Sequence, residues 1–217
     1  MRRCVGVILA GGGATRYGGK PKGLELVGGQ RVIDRAAMAI ASATDELLLI
    51  ANDAGASGWL PGVRTVSDVR HGAGSLGGIY SALVHADSAA MVIAWDMPFV
   101  PAELLRELRR LGETADAAVP ESDSRRGVEP LCAYYSPVCV APIERRLNSG
   151  DLRVISFYDE IRVAKLPIDA VRRFGDPARI FMNVNSPVDL DLAEHYESAA
   201  NGGRDRQEAQ REDDARR

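Results

Sequence analysis

A chain of 217 residues, 46% hydrophobic and 26% charged, is long enough for one α/β domain with a sizeable core and too ordinary for a disordered or fibrous protein. Its net charge of -3 offers no global attraction for nucleic acid, and no apolar run approaches a membrane helix in length. Cys4, Cys132 and Cys139 are odd in number without a metal spacing, and His71, His85 and His195 are scattered, so neither a disulfide framework nor a metal cluster is legible.

Met1, Arg2 and Arg3 are followed by an apolar run that ends in glycines too early for a signal peptide, and a cytoplasmic protein with no membrane or nucleic-acid partner is expected. That run, residues 5–10, reads as a buried strand. Val32, Ile33, Ala36, Ala37 and Ile40 recur at helical spacing. Residues 46–51 and 63–67 read as the second and third strands. Residues 76–86 have the spacing of a helix opened by glycines. Residues 89–95 form the fourth strand, whose unbroken apolar character predicts burial on both faces. Pro101 opens a helix with Glu103 at its positive end and Arg106, Arg109 and Arg110 toward its negative end; Leu104, Leu105, Leu108 and Leu111 are its buried stripe. The second half predicts strands over 116–120, 129–135, 161–166 and 180–184, and a helix over 137–147. A last helix should run from Pro187 to about Ser198, with Ser186 as its cap and Asp189 three positions on. Residues 201–217 are polar and of mixed charge, which predicts a disordered tail behind a domain spanning 1–200. The alternation predicts an α/β fold: a single-domain, mostly parallel Rossmann-like sheet with helices on both faces. Ligands of such sheets bind at the carboxyl ends of the strands, where Gly11, Asn52, Asp68 and Asp96 should open onto one edge.

The stretch 9–24, LAGGGATRYGGKPKGL, joins a strand, three glycines and the cations Arg16, Lys20 and Lys22. Glycines bring peptide N–H groups close to a ligand, and successive N–H groups make an anion site. A polyphosphate suits this combination; the glycines alone suit a tight turn equally well. The loop is neither a P-loop, since Ala14 stands where Lys20 would need a glycine, nor a dinucleotide fingerprint, since Arg16 replaces the last glycine. Asp96, ending a buried strand before Met97 and Pro98, fits a Mg²⁺ ligand, with a capping Asp as the plainer alternative. Asn52 and Asp68 could each close a turn. Asn183 and Asn185 share one face of an extended segment, or merely punctuate the start of a helix.

The loop resembles the nucleotidyltransferase signature: LAGG, then Arg16, Tyr17 and Gly18, then Lys22 before Gly23 and Leu24. Within that superfamily it is most similar to the molybdenum cofactor guanylyltransferases, of the nucleotide-diphospho-sugar transferase fold type, whose usual Asp before the lysine is Pro21 here. VIAWDMPFVP, LLIAND, TVSD, GSLGG, EPLCAYY and FMNVNSP extend the resemblance from about Val5 to Leu192. The resemblance implies transfer of GMP from GTP to molybdopterin, releasing pyrophosphate. It implies Arg16, Lys22 and Asp96 as catalytic groups, with Asp96 holding Mg²⁺. Leu9, Ala10, Gly11, Gly12, Gly13, Lys22, Asn52, Asp68, Gly77, Gly78 and Asp96 would meet the nucleotide, and Asn183 and Asn185 the acceptor. Molybdoenzyme apoproteins or their chaperones would receive the product. A cytidylyltransferase of molybdopterin or a sugar-phosphate nucleotidyltransferase would use the same chemistry, and an inactive nucleotide-binding regulator is the rival from another class.

Overall fold

The computed structural model of the chain describes residues 2–11 and 21–199. Among them, in chain order, are strands β1 (Cys4–Ala10), β2 (Leu26–Val27), β3 (Gln30–Arg31), β4 (Glu46–Ala51), β5 (Arg64–Val66), β6 (Ala89–Ala94), β7 (Ala117–Pro120), β8 (Cys132–Tyr135) and β9 (Val163–Leu166). The helices are α1 (Val32–Ala41), α2 (Gly74–Ala86), α3 (Ala102–Leu111), α4 (Val140–Asn148), the short α5 (Ile168–Val171) and α6 (Pro177–Ile180), and α7 (187–199). Seven strands make one sheet in the order β5-β4-β1-β6-β8-β7-β9, and β2 and β3 form a separate hairpin. The first four of these are mutually parallel, β8 is antiparallel to both its neighbours, and β9 is parallel to β7. The expected fold class, a mostly parallel α/β sheet, is the one observed.

Crossover helices cover a parallel sheet on both faces, so its central strands must be apolar throughout. β1 and β6 meet that demand with every residue buried. Along β1 the side chains alternate: Cys4, Ile8 and Ala10 join the core under α1 and α3, while Val5, Val7 and Leu9 join the core under α2 and α4. In α3 the fully buried Leu104, Leu105 and Leu108 contribute roughly 5–8 kcal/mol of burial, against about 1 kcal/mol from its charged ends. The apolar face, not the termini, therefore fixes this helix. The three cysteines are buried free thiols. Burial foremost pushes Cys4 up to about 11, Cys139 up to about 12 and Cys132 higher still, so none is poised as a nucleophile.

Most expected elements occur with ends shifted by a few residues. One does not. Residues 180–184 are not a strand. Asp176 caps the preceding turn by accepting from the Ala178 N–H, and Pro177 takes the first helical position, so the chain winds into α6 and Ile180 closes it. Residues 182–185 then lie outside any ladder, and the Val184 N–H donates to the Asp96 carbonyl at 2.9 Å. α7 begins as expected: the Ser186 hydroxyl accepts from the Asp189 N–H, and Asp189 Oδ2 accepts from the Asn185 N–H. A small third cluster, Val27, Val32, Val184 and Ala193 with Phe99, Met182 and Leu190, packs this terminal arm against the hairpin and α1. No helix among the described residues is long and apolar enough to cross a membrane. The polar tail read from the sequence lies outside the described residues.

Candidate active site

The carboxyl ends of β1, β4 and β6 open onto one cavity of about 450 Å³. Leu9, Gly11, Lys22, Asn52, Asp68, Gly78, Asp96 and Asn183 line it, so residues expected from strand ends far apart in sequence share one space. Ala10 alternates away into the core, and Gly77 faces Ala73 rather than the cavity. Gly12, Gly13, Arg16 and Lys20 lie outside the described residues.

On one side, Asn52 and Asp68 interlock. The Asn52 amide donates to Asp68 Oδ2 at 2.7 Å, and the Asp68 N–H donates to Asn52 Oδ1 at 2.9 Å. Asp68 Oδ1 is buried and has no hydrogen-bond partner among the described residues. Leaving such an acceptor unpaired costs about 1–3 kcal/mol. Gly78 on α2 sits directly under Leu9; a Cβ there would come within 3.1 Å of the Leu9 side chain, which holds the helix start close to the sheet edge.

On the other side, Lys22 starts a 3-10 turn, Lys22–Leu24. Its Nζ donates to Asp96 Oδ2 and to Asn185 Oδ1, each at 2.5 Å. The Lys22 and Asp96 side chains are 14% and 8% exposed, so solvent screens this pair far less than a surface pair. The turn reaches Asp96 because Gly23 lies against the Trp95 ring, where a Cβ would collide with it. Trp95 is itself stacked on Trp59, with ring centroids 5.0 Å apart and planes at 18°. Asn183 lines the cavity and turns its amide to the Phe181 carbonyl, Asn185 meets Lys22, and Val184 between them is fully buried.

The donors here are hard oxygens. Asp96 Oδ and Asn185 Oδ1 suit Mg²⁺, which takes one or two protein oxygens and completes its shell with phosphate and water. No group of three or more His, Cys, Asp or Glu that could cage a metal occurs among the described residues. Glu129, just before β8, is half-buried; burial foremost, with the charge of Asp96, pushes its carboxyl above the usual range, against the pull of the Leu131 N–H and Arg126.

Sequence reasoning missed Trp95 and Leu131, which also line the cavity. The only signal for Trp95 was a large aromatic directly before the metal-type acid in AWDMP. Leu131 lies in the EPLCAYY stretch of the resemblance, but nothing singled it out, because its place depends on β8 pairing with β6.

A mostly parallel sheet with a lysine and an acid face to face at its carboxyl edge is the setting of a nucleotidyltransferase, and the comparisons with known proteins place the chain in that class. Residues 6–162 match the MobA-like NTP transferase domain family. A probable molybdenum cofactor guanylyltransferase of Pelotomaculum thermopropionicum is 37% identical over 88% of this chain and 91% of its own. A molybdenum cofactor guanylyltransferase of Desulfosudis oleivorans is 32% identical over 89% of this chain and 96% of its own. The crystal structure of a molybdopterin-guanine dinucleotide biosynthesis protein A from Archaeoglobus fulgidus superposes with a TM-score of 0.75 at 28% identity, covering 90% of this chain and 99% of that one. The chain belongs to the MobA-like NTP transferase family.

Proposed function

We propose that this enzyme transfers GMP from GTP to the phosphate of molybdopterin and releases pyrophosphate, a role in molybdenum cofactor biosynthesis. The names of its relatives support the pathway. The observation that carries the choice of base is Asp68 Oδ1, the unpaired acceptor in a residue that lines the cavity. Guanine presents N1–H and N2–H₂ donors, whereas adenine presents an acceptor at N1. A buried acceptor therefore favours guanine and leaves adenine unpaired.

In the reaction an oxygen of the acceptor phosphate attacks the α-phosphorus in line. A new P–O bond forms as the bond to the β-phosphate oxygen breaks, and pyrophosphate leaves with the electron pair. Lys22 holds the negative charge of the triphosphate and of the leaving pyrophosphate. Gly11 brings backbone close to the phosphates; by resemblance the same role falls to Gly12 and Gly13, and Arg16 shares with Lys22 the charge of the triphosphate and leaving pyrophosphate. Asn183 and Asn185 orient the acceptor. Asp96 with Asn185 would hold Mg²⁺, which when bound supplies Lewis-acid neutralisation of phosphate oxygens. Molybdoenzyme apoproteins or their chaperones are the proposed recipients.

Competition among GTP, CTP and ATP, scored by pyrophosphate release with and without molybdopterin, tests the reading. GTP should exceed ATP by at least about tenfold, which needs only ~1.4 kcal/mol. Asp68→Asn should erase most of that margin. CTP preference would make the protein a cytidylyltransferase, and turnover with a sugar phosphate alone would remove it from this pathway.

A further inference from the structure

Two buried-edge arginines, Arg35 and Arg179, stand outside the cavity, and the chemistry above does not use them. Both converge on Phe99, three residues after Asp96. The Arg179 guanidinium lies 4.8 Å from the Phe99 ring centre and 5.7 Å from that of Tyr196, and the two rings meet edge to face at 6.1 Å. Arg35 lies 6.0 Å from the same Phe99 ring. It donates twice to the Val27 carbonyl, at 3.1 and 2.8 Å, and to Glu197 at 3.0 Å. Gly28, at φ +58°, donates its N–H to Glu194, and a Cβ there would press into the Glu197 side chain. Thus α7 is gripped at Glu194, Tyr196 and Glu197 by the hairpin after Lys22, by α1 and by the loop after Asp96.

The segment 183–185 is suspended between these grips, with Arg179 before it and α7 behind it. Asn183 bonds within its own turn, to the Phe181 carbonyl, and the Asn185 N–H to Asp189 of α7; toward the rest of the site the segment is attached by the Val184 N–H to Asp96, the buried Val184 side chain and the Lys22–Asn185 bond. Exposed ion pairs contribute little to such a task. The Arg35–Glu197 pair differs from them, being 15% and 19% exposed where the Arg172–Asp169 pair is 54% and 87% exposed. The cation between two rings is of the partly desolvated kind that carries weight.

We propose that Arg35 and Arg179 are positioning residues for the acceptor: the Phe99-centred latch holds Asn183 and Asn185 against Lys22 and Asp96 and so sets acceptor affinity without setting nucleotide affinity. The nucleotide side, Asn52, Asp68 and Gly78, makes no hydrogen bond to this arm among the described residues and is fixed by the sheet and α2. The inference rests on the acceptor role proposed above for the two asparagines.

The test compares wild type with Arg35→Ala, Arg179→Ala and Arg179→Lys, which keeps a cation on the rings. With GTP, Mg²⁺ and purified molybdopterin, either Ala variant should raise the acceptor KM by about tenfold, ~1.4 kcal/mol, and leave the GTP KM within about twofold. Arg179→Lys should recover most of the loss. Without substrates, hydrogen exchange at the Val184 amide should quicken in both Ala variants and return toward wild type in Arg179→Lys. Equal rises in both KM values, or unchanged Val184 exchange, would overturn the latch. If wild type does not use molybdopterin, the acceptor reading fails by itself, and Val184 exchange still decides whether the latch exists.

Discussion

The two sides of the cavity are built differently. The proposed nucleotide side comes from consecutive strand–helix units: Leu9 in β1 and Gly11 after it, Asn52 after β4, Asp68 after β5, Gly78 on α2. Each residue is held by the strand that precedes it. The facing side, where nucleotide and acceptor are proposed to meet, is assembled from three distant stretches, Lys22, Asp96 and Asn185, joined by two charge-assisted bonds and one backbone bond. A site half made of local turns can be stiff at small expense. The half made of distant segments needs each attachment, and single changes should separate the two halves kinetically.

The largest effect is expected where the halves join. Asp96→Asn keeps the shape of the side chain but removes its charge; turnover should fall by roughly 10²-fold or more with near-normal melting temperature. Wild-type turnover at limiting Mg²⁺ would sink the metal assignment. Lys22→Ala is next. It should weaken both GTP binding and kcat, together by roughly 10–100-fold, because the same charge serves the ground state and the leaving group. A loss confined to acceptor use would move Lys22 wholly to the other half. Asn183→Ala combined with Asn185→Ala should raise the acceptor KM by about tenfold while sparing GTP affinity measured by calorimetry. A parallel loss of GTP affinity would erase the division between the sides.

The smallest effect on activity is expected at Asp116, an acid with a structural role. Its carboxylate accepts from the Arg162 N–H at 2.9 Å and from the Arg162 guanidinium at 3.0 and 3.2 Å, closing β7 onto β9. The Arg162 side chain foremost, then its N–H, holds the Asp116 carboxyl below the usual carboxylate range. Since the folded pKa is the lower one, its stabilisation is full above the unfolded value of about 3.9 and is lost as pH falls through the folded value. Asp116→Asn should lower neutral-pH stability by about 1–3 kcal/mol, with little change in kcat, and the difference from wild type should shrink below about pH 3. A gap between the two melting curves that persists at acid pH would exclude this linkage.

The same division governs what could be read in the chain. β1, β4, β6 and α3 announced themselves because burial on two faces or one stripe leaves a periodic trace over neighbouring residues. Asn52, Asp68 and Asp96 were legible for the same reason, since they stand where a readable strand stops. Residues 180–184 misled, because Ile180 and Val184 are apolar for two unrelated purposes, one closing α6 in the core and one plugging the arm cluster. The grips of Arg35 and Arg179 left no local trace at all. Their partners lie up to 162 residues away, and a lone arginine in a helix reads as a solvated charge until the fold brings Phe99 and Glu197 to it.

The stacked pair at the root of the site has an optical consequence. Trp59 and Trp95 are the two tryptophans of the chain, so its indole emission comes from a single spot, against Gly23 and beside Asp96. A ligand that bonds Lys22 in place of the acid is expected to alter the surroundings of that emitter. The protein thus carries its own fluorophore beside the proposed site, and titration of nucleotide should register in its emission intensity and wavelength without any label.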